Sequence, residues 1–240
     1  MTLDCNGSSF GSGVVAGSRW ERSSTSEEMM AVDGPEKRPC QTTAPPLLPS
    51  IDMDAVVKEV VSGERRIVVV DVEATCWKRG VFSRKKETIE LGAVLVPDRE
   101  ASAWAEFQTF VRPQRLPRLS NFCRELTGIT QEDVDAAPSF PEALRMFLVW
   151  AQPLERVVLA TWSHYDLWQL DLDLEAHGLP KLDFPFLDVK KLAARMVGGK
   201  SLEETARELA PECVAMPRHR AINDARCTAQ ILHRLLRFLG

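Results

Sequence analysis

The apolar residues 67–70, Ile-Val-Val-Val, run directly into two acidic residues, Asp71 and Glu73. An uninterrupted run of β-branched residues is typical of a strand that is buried on both faces of a sheet. Alternate side chains of a strand point to the same face, so we expect the two carboxylates to point the same way. Two carboxylates at the end of a buried strand are costly unless a positive charge lies between them. The pattern leaves two interpretations open: a divalent-metal site, or two acids that begin a solvated loop.

Four further strands are predicted after the first one. Residues 88–96 and 105–111 form two of them, and short connectors join all three strands into an antiparallel meander. Residues 157–162 and 186–189 are two apolar strands that alternate with helical segments. This order predicts an α/β fold: a mixed five-stranded sheet, with its first three strands antiparallel, covered by helices on both faces.

The helices are predicted from their start and stop signals and from apolar residues at helical spacing. Ser139 and Ser201 each begin a capping box, Ser163 precedes the helix after the fourth strand, and Gly178 ends that helix. A long amphipathic helix runs from about Ile222 to the C-terminus. Shorter helices are expected over residues 52–63 and 119–126, after Thr130, and before Gly198.

The first part of the chain differs in composition from the rest. Residues 1–50 are rich in Gly, Ser, Thr and Pro and show no sustained periodicity. Such a segment buries too little apolar surface to offset its chain entropy, so we expect a disordered N-terminal arm. Residues 51–240 are long enough for one sizeable domain.

Charge and cysteine content exclude few classes of function. The net charge of −4 argues against a protein that coats long polyanions, but not against an enzyme that binds a few nucleotides through metals and local basic residues. The cysteines form no C-x-x-C pair, so neither a zinc site nor a redox motif is indicated, and free thiols are expected. No membrane span or secretory signal is predicted. We therefore expect an intracellular protein, cytoplasmic or nuclear, with organellar targeting left open.

Three further polar residues lie near predicted element ends. Asp166 follows the fourth strand, His219 lies in a loop, and Asp224 falls in the first turn of the C-terminal helix. Each acid can be a helix cap, because carboxylates stabilise the positive end of the helix dipole. Ligand sites in α/β sheets, however, gather at the carboxyl ends of strands, where Asp71, Glu73 and Asp166 would meet if their strands are parallel neighbours. His219 adds an imidazole, the side chain best suited to proton transfer near neutral pH.

The complete pattern resembles a known group of enzymes. Asp-x-Glu after a first strand, an Asp after a later strand and His-x4-Asp before a last helix are similar to the DEDDh group of 3′–5′ exonucleases, and most closely to its Eri-type exoribonucleases. The matching strings are residues 71–77 (Asp-Val-Glu-Ala-Thr-Cys-Trp), 126–130 (Leu-Thr-Gly-Ile-Thr) and 219–226 (His-Arg-Ala-Ile-Asn-Asp-Ala-Arg). The resemblance covers the chain from the first strand to the C-terminus and identifies residues 51–240 as an exonuclease domain.

The resemblance implies an RNase H-like fold and a metal-dependent hydrolysis. The reaction would cleave phosphodiester bonds from the free 3′-OH end of RNA, or of single-stranded DNA, and release 5′-mononucleotides. Two Mg²⁺ ions, for which Mn²⁺ can substitute, would be held by Asp71, Glu73, Asp166 and Asp224. His219 would act as the general base that takes a proton from the attacking water.

Substrate contacts are expected beside the first acid pair and beside the base. Ala74, Thr75 and Trp77 would meet the terminal nucleotide, since bases stack on apolar and aromatic surfaces, although ordinary packing explains Trp77 equally well. Arg218 and Arg220 flank His219 and are placed for phosphate contacts. The 3′ end of RNA, or of another single-stranded nucleic acid, is therefore the expected partner, and no protein partner is indicated.

Two other functions remain open at this stage. Residues 71–75 also resemble the Asp-x-Asp-x-Thr nucleophile motif of haloacid-dehalogenase-type phosphatases, in which Asp71 would be phosphorylated. That interpretation leaves Asp166 and His219 without a role. The second alternative is an RNA-binding module of the same fold with weak catalysis, although all five key residues are present.

Overall fold

The computed structural model of the chain describes residues 52–78, 85–97, 104–151 and 156–239. The disordered arm predicted over residues 1–50 lies outside these ranges, so that prediction stays untested. The described residues belong to one compact unit.

A five-stranded mixed sheet forms the centre of this unit. Its strands are β1 Arg66–Ala74, β2 Thr88–Val96, β3 Ala105–Phe110, β4 Val157–Thr161 and β5 Phe186–Asp188. They are arranged in the order β3-β2-β1-β4-β5. The β1–β2 and β2–β3 pairs are antiparallel, whereas the β1–β4 and β4–β5 pairs are parallel. The predicted mixed sheet with three antiparallel first strands is confirmed.

The helices follow the predicted order, and their bounds differ from the predicted ones by a few residues. They are α1 Met53–Val61, α2 Asn121–Thr127, α3 Gln131–Asp135, α4 Phe140–Ala151, α5 His164–Ala176, α6 Val189–Val197, α7 Leu202–Leu209 and α8 Ala221–Leu239, with a short 3-10 turn at Pro211–Cys213. The capping box predicted at Ser201 is present, and Thr130 forms another. In each box, the cap hydroxyl and the carboxylate of the third helical residue accept hydrogen bonds from backbone amides.

Strand β1 separates two hydrophobic layers. Ile67 and Val69 face a layer formed by α8 with α6 and α7, whereas Val68 faces a second layer formed by α4 and α5. Because both faces are buried, the apolar run is continuous rather than alternating. Asp71 and Glu73 share the parity of Ile67 and Val69, so they extend the row of side chains on the α8 face.

The start of α8 lies directly against β2 at Gly92. A β-carbon at Gly92 would lie 2.4 Å from the backbone nitrogen of Ile222 and 2.5 Å from the carbonyl carbon of Ala221. Backbone atoms cannot yield as a flexible side chain can. The glycine therefore sets how closely α8 approaches the sheet.

We expect Gly92→Ala to lower the free energy of unfolding by about 1–3 kcal/mol, because the added methyl group overpacks this contact. Gly199→Ala is the matched control, since a β-carbon there meets nothing within 4 Å. It should change stability by less than about 0.5 kcal/mol. Urea denaturation of both variants measures the difference. Equal losses in the free energy of unfolding would show that the added methyl group does not overpack the β2–α8 contact.

The structure also bears on the state of the cysteines and on membrane-spanning helices. Cys76, Cys123, Cys213 and Cys227 are free thiols, and the other two cysteines lie outside the described residues. Across the described ranges, no helix is both long enough and apolar enough to cross a membrane. The predicted cellular compartment stays a prediction.

Candidate active site

The first pair of carboxylates lies within a strand. β1 continues through Asp71 and Glu73 to Ala74, so the interpretation of two acids in a solvated loop is wrong. Across the antiparallel pair, Asp71 lies opposite Gly92 and Glu73 lies opposite Glu90. Asp71 is only 9% exposed, and Glu73 is partly buried. Because Gly92 has no side chain, the start of α8 can approach this pair of acids.

Asp166 reaches the same strand from the first turn of α5. The pairing of β1 with β4 ends at Val69, and further along β1 the amide of Val72 donates a hydrogen bond to Asp166 Oδ1 at 3.3 Å. Ser163 caps α5 by accepting a hydrogen bond from the amide of Tyr165. Asp166 is therefore more than a helix cap, because its buried carboxylate is fixed to the strand that carries the first acid pair.

Asp224 and His219 come from α8 and from the loop before it. The amide of His219 donates to Asp224 Oδ2 at 3.3 Å, and Nη1 of Arg218 lies 2.7 Å from Asp224 Oδ1. His219 is exposed and has a φ of 57°, in the left-handed region that non-glycine residues rarely adopt. Ligand atoms of Glu73, His219 and Asp224 lie within 4.8 Å of one another. β1 and α8 thus bring together residues that lie about 150 positions apart in the sequence.

The cluster carries more negative charge than its protein surroundings neutralise. Burial is the largest cause that raises the pKa of each of the four carboxyls, Asp71, Glu73, Asp166 and Asp224. The pKa of Glu73 rises to about 8 and that of Asp166 to about 7. Repulsion by the other three carboxylates further raises the pKa of Asp71. The charge of Arg218 lowers the pKa of Asp224, and His219 acts in the same direction.

This charge imbalance suits a divalent cation. Carboxylate oxygens are the ligands that hard divalent cations prefer, and a cation would remove the repulsion among the four acids. Nη1 of Arg218 lies 2.7 Å from Asp224 Oδ1 and offsets part of this negative charge. The remaining carboxylate oxygens form a donor set that fits a divalent metal ion.

Comparisons with known proteins point to the same chemistry. The sequence model of the RNase_T family, described as "Exonuclease", matches residues 68–232. The match spans more than half of the chain and includes all four carboxylates and His219. This chain belongs to the exonuclease family.

Similar proteins include an ERI1 exoribonuclease and two 3′-exonuclease structures. The chain is 43% identical over 120 residues to ERI1 exoribonuclease 2 of Danio rerio, a match that covers 42% of this chain and 21% of that protein. The nuclease domain of 3′hExo, described as a DEDDh family member bound to rAMP, has a TM-score of 0.66 at 27% identity and covers 72% of this chain and 92% of that one. A 3′-exonuclease structure on the recognition of a histone mRNA stem-loop has a TM-score of 0.67 at 25% identity, covering 72% of this chain and 82% of that one.

These matches confirm the resemblance to the DEDDh exonucleases of the Eri type and the RNase H-like α/β fold. The chain spans about a fifth of the length of the Danio rerio protein. The family match also disfavours the dehalogenase-type phosphatase, since that interpretation gives no role to the acids of α5 and α8.

The segment expected to meet the nucleotide is fixed tightly behind the acid pair. Ala74 is 7% exposed and Thr75 is 1% exposed. Thr75 exchanges backbone and side-chain hydrogen bonds with Glu87, and the carbonyl of Cys76 accepts from Ser120 Oγ at 2.6 Å. Trp77 is half-buried. These hydrogen bonds hold the segment in place beside the acids. Nucleotide contact by its side chains stays a prediction.

The two arginines beside His219 have partners within the protein. Arg218 pairs with Asp224, and Arg220 pairs with Glu90 through Nε at 3.0 Å. Both side chains remain partly exposed, at 28% and 27%. Their predicted contacts to phosphate stay predictions, and each arginine also neutralises a buried carboxylate.

Two buried acids whose carboxylates bind groups outside the acid cluster were missed from the sequence. Glu87 accepts hydrogen bonds from three consecutive amides, those of residues 114–116. Asp173, on α5, accepts from the amide and hydroxyl of Thr88 and from Gln169. The sequence signal that could have identified Glu87 as buried is its position directly before the mostly apolar strand β2. Asp188 caps α6 by accepting a hydrogen bond from the amide of Lys191.

Proposed function

We propose that this protein is a metal-dependent 3′–5′ exonuclease that acts mainly on RNA. It would hydrolyse the phosphodiester bond at a free 3′-OH end and release 5′-mononucleotides. The observation that carries the proposal is the convergence of four buried or partly buried carboxylates from β1, α5 and α8 beside an exposed histidine. The match to the exonuclease family supports the same conclusion.

Divalent metal ions would be held by Asp71, Glu73, Asp166 and Asp224. When bound, a pair of Mg²⁺ or Mn²⁺ ions supplies charge stabilisation for both the attacking and the leaving oxygen of a phosphodiester. The carboxylates would hold the ions in place through their oxygen atoms. Mg²⁺ is the expected physiological ion, and Mn²⁺ can substitute because both prefer oxygen ligands.

His219 is suited to the proton transfer. Its side chain is exposed, so water and a nucleotide can reach an imidazole nitrogen, and its backbone amide is tied to Asp224. The imidazole would accept the proton of the attacking water and pass it to solvent after cleavage. Asp224 therefore serves both the ions and the loop that carries the base.

The names of similar proteins support RNA as the substrate. The similar proteins include a protein named an exoribonuclease and a structure of 3′-end recognition of an RNA stem-loop. Proteins distinguish RNA from DNA through the 2′-OH. We assign contacts to the terminal nucleotide to the segment Ala74, Thr75 and Trp77, and phosphate contacts to Arg218 and Arg220.

Matched RNA and DNA oligomers of one sequence, each with a 5′ label, test the choice of substrate. In Mg²⁺ the RNA should shorten from its 3′ end at least about tenfold faster than the DNA. Equal rates would reject RNA preference but keep the exonuclease. If neither oligomer shortens while RNA is retarded in a gel, the weakly catalytic RNA-binding module of the same fold is the better description.

We expect the stability of the metal-free protein to fall as pH rises. The pKa values of Glu73 and Asp166, about 8 and about 7 in the folded protein, exceed their ordinary values. Between the ordinary and the raised values the folded state binds more protons than the unfolded chain, so raising the pH destabilises it. This destabilisation is absent below about pH 4 and complete above about pH 8.

Mg²⁺ should reverse this trend, since it binds only the ionised carboxylates. Thermal unfolding in EDTA and in millimolar Mg²⁺ should therefore show a Tm gain that is larger at about pH 8 than at about pH 5.5. A gain that is independent of pH would mean that the ion binds elsewhere.

A further inference from the structure

The loop that carries His219 is held in an unfavourable conformation. A non-glycine residue at a φ of 57° persists only where its surroundings hold it. On one side, the amide of His219 donates to Asp224, and Nδ2 of Asn223 donates to the carbonyl of Pro217 at 2.9 Å. These contacts fix the approach to the histidine. The residues that follow it need a separate anchor.

Glu90 of β2 is that anchor. Its side chain is fully buried, at 0% exposure, and accepts from Nε and Nη2 of Arg220 at 3.0 and 3.2 Å. It also accepts from the amide of Ala221, the first residue of α8, at 3.0 Å. From β3, Nε2 of Gln108 donates to it at 2.6 Å. Both residues after His219 are therefore bound to one carboxylate.

The position of Glu90 is electrostatically unfavourable for the acid cluster. It lies opposite Glu73 in the register of β1 and β2, and its charge raises the pKa of both Glu73 and Asp224. An apolar residue would fill this part of the core without that repulsion. What a carboxylate adds is a paired hydrogen bond to Arg220 and a cap for the free amide of Ala221.

We propose that Glu90 is a positioning residue for catalysis: by binding Arg220 and Ala221, it fixes the loop so that His219 lies beside Glu73 and Asp224. The inference rests on the proposed function, in which His219 accepts a proton from the attacking water. A small displacement of a general base slows the reaction because the reacting atoms must meet in a defined geometry.

A double-mutant cycle tests the coupling between Glu90 and His219. Single-turnover cleavage of RNA is measured for the wild type, Glu90→Gln, His219→Ala and the double variant. Glu90→Gln keeps the side-chain volume, and we expect it to lower the rate by about 10- to 100-fold while the Kd for RNA changes less than about threefold. In the His219→Ala background the same change should lower the rate less than about threefold, because the base through which Glu90 acts is already absent.

Glu87→Gln is the matched control. It makes the same chemical change at another buried glutamate next to β2, which accepts backbone amides of residues 114–116. We expect it to lower the Tm while the rate stays within about twofold of the wild type. If Glu90→Gln is too unstable to purify, Arg220→Gln takes its place: loss of positioning lowers kcat, whereas loss of a phosphate contact raises KM.

The possible outcomes separate the two proposals. Equal rate losses from Glu90→Gln in both backgrounds, or no loss in the wild-type background, would overturn the positioning role and leave the proposed function intact. Full activity of His219→Ala, or a wild type that cleaves no RNA, would count against the proposed function itself. The Tm gain from Mn²⁺ provides a readout besides activity, and Glu90→Gln should retain it.

Discussion

Replacing Asp71 with Asn is expected to lower the rate of RNA hydrolysis by about 1,000-fold or more, since the charge stabilisation provided by bound metal ions is worth several kcal/mol. The charges of all three other acids raise the pKa of Asp71, so a bound cation would relieve repulsion at this carboxylate. An amide of the same shape cannot supply a charged ligand there. The Tm gain from Mg²⁺ should disappear in this variant.

The metal-free Asp71→Asn protein should at the same time be more stable than the wild type near pH 8. The substitution removes a buried charge that is repelled by its neighbours, and one unit of pKa shift corresponds to about 1.4 kcal/mol. Active sites commonly carry such a cost in stability. A variant that loses activity while gaining stability has not simply misfolded.

Asp173→Asn is the control for this experiment. Asp173 is also buried on the sheet side of α5, but its carboxylate binds Thr88 and Gln169 rather than the acid cluster. It should lower the Tm and leave the rate of hydrolysis within about twofold of the wild type. If Asp71→Asn still cleaves RNA at a comparable rate, or still gains stability from Mg²⁺, the assignment of the metal site is wrong.

Replacing His219 with Ala is expected to lower kcat by about 100- to 10,000-fold, the usual contribution of general acid–base catalysis. Stabilisation by Mg²⁺ should persist, because the four carboxylates remain. His219→Asn is a useful second variant, since asparagine tolerates the left-handed backbone that this position requires. Both variants should show the same loss of kcat.

The His219 variants also separate a base from a metal ligand. The imidazole lies close enough to Glu73 and Asp224 to share an ion with them. If His219→Ala loses the stabilisation by Mg²⁺ or Mn²⁺ together with activity, the histidine is a ligand. Loss of kcat with unchanged metal stabilisation supports the role of general base.

The sheet and the first pair of acids were predictable because their signals are local. The apolar run before Asp71 predicts a strand buried on both faces, and the period of two predicts that Asp71 and Glu73 share a face. The sequence did not show that β1 and β4 are parallel neighbours, and this pairing is what brings Asp166 to Val72. A carboxylate in the first turn of a helix looks like a cap whether or not it also reaches a neighbouring strand.

The supporting contacts were not predictable, because their partners are distant in sequence. Glu90 and Arg220 are separated by 130 positions, and Arg115 and Asp173 by 58. From the sequence, Arg220 next to a histidine suggests a phosphate contact. The fold provides a buried carboxylate for it, which no local pattern encodes.

Removal of nucleotides from a free 3′ end is the activity proposed for this chain. The most direct measurement uses one 5′-labelled single-stranded RNA in two forms, with a 3′-OH and with a 3′-phosphate, incubated with the protein in Mg²⁺. We expect the 3′-OH form to shorten stepwise with release of 5′-mononucleotides, and the blocked form to resist. Equal cleavage of both forms, internal fragments, or binding without shortening would contradict the assignment.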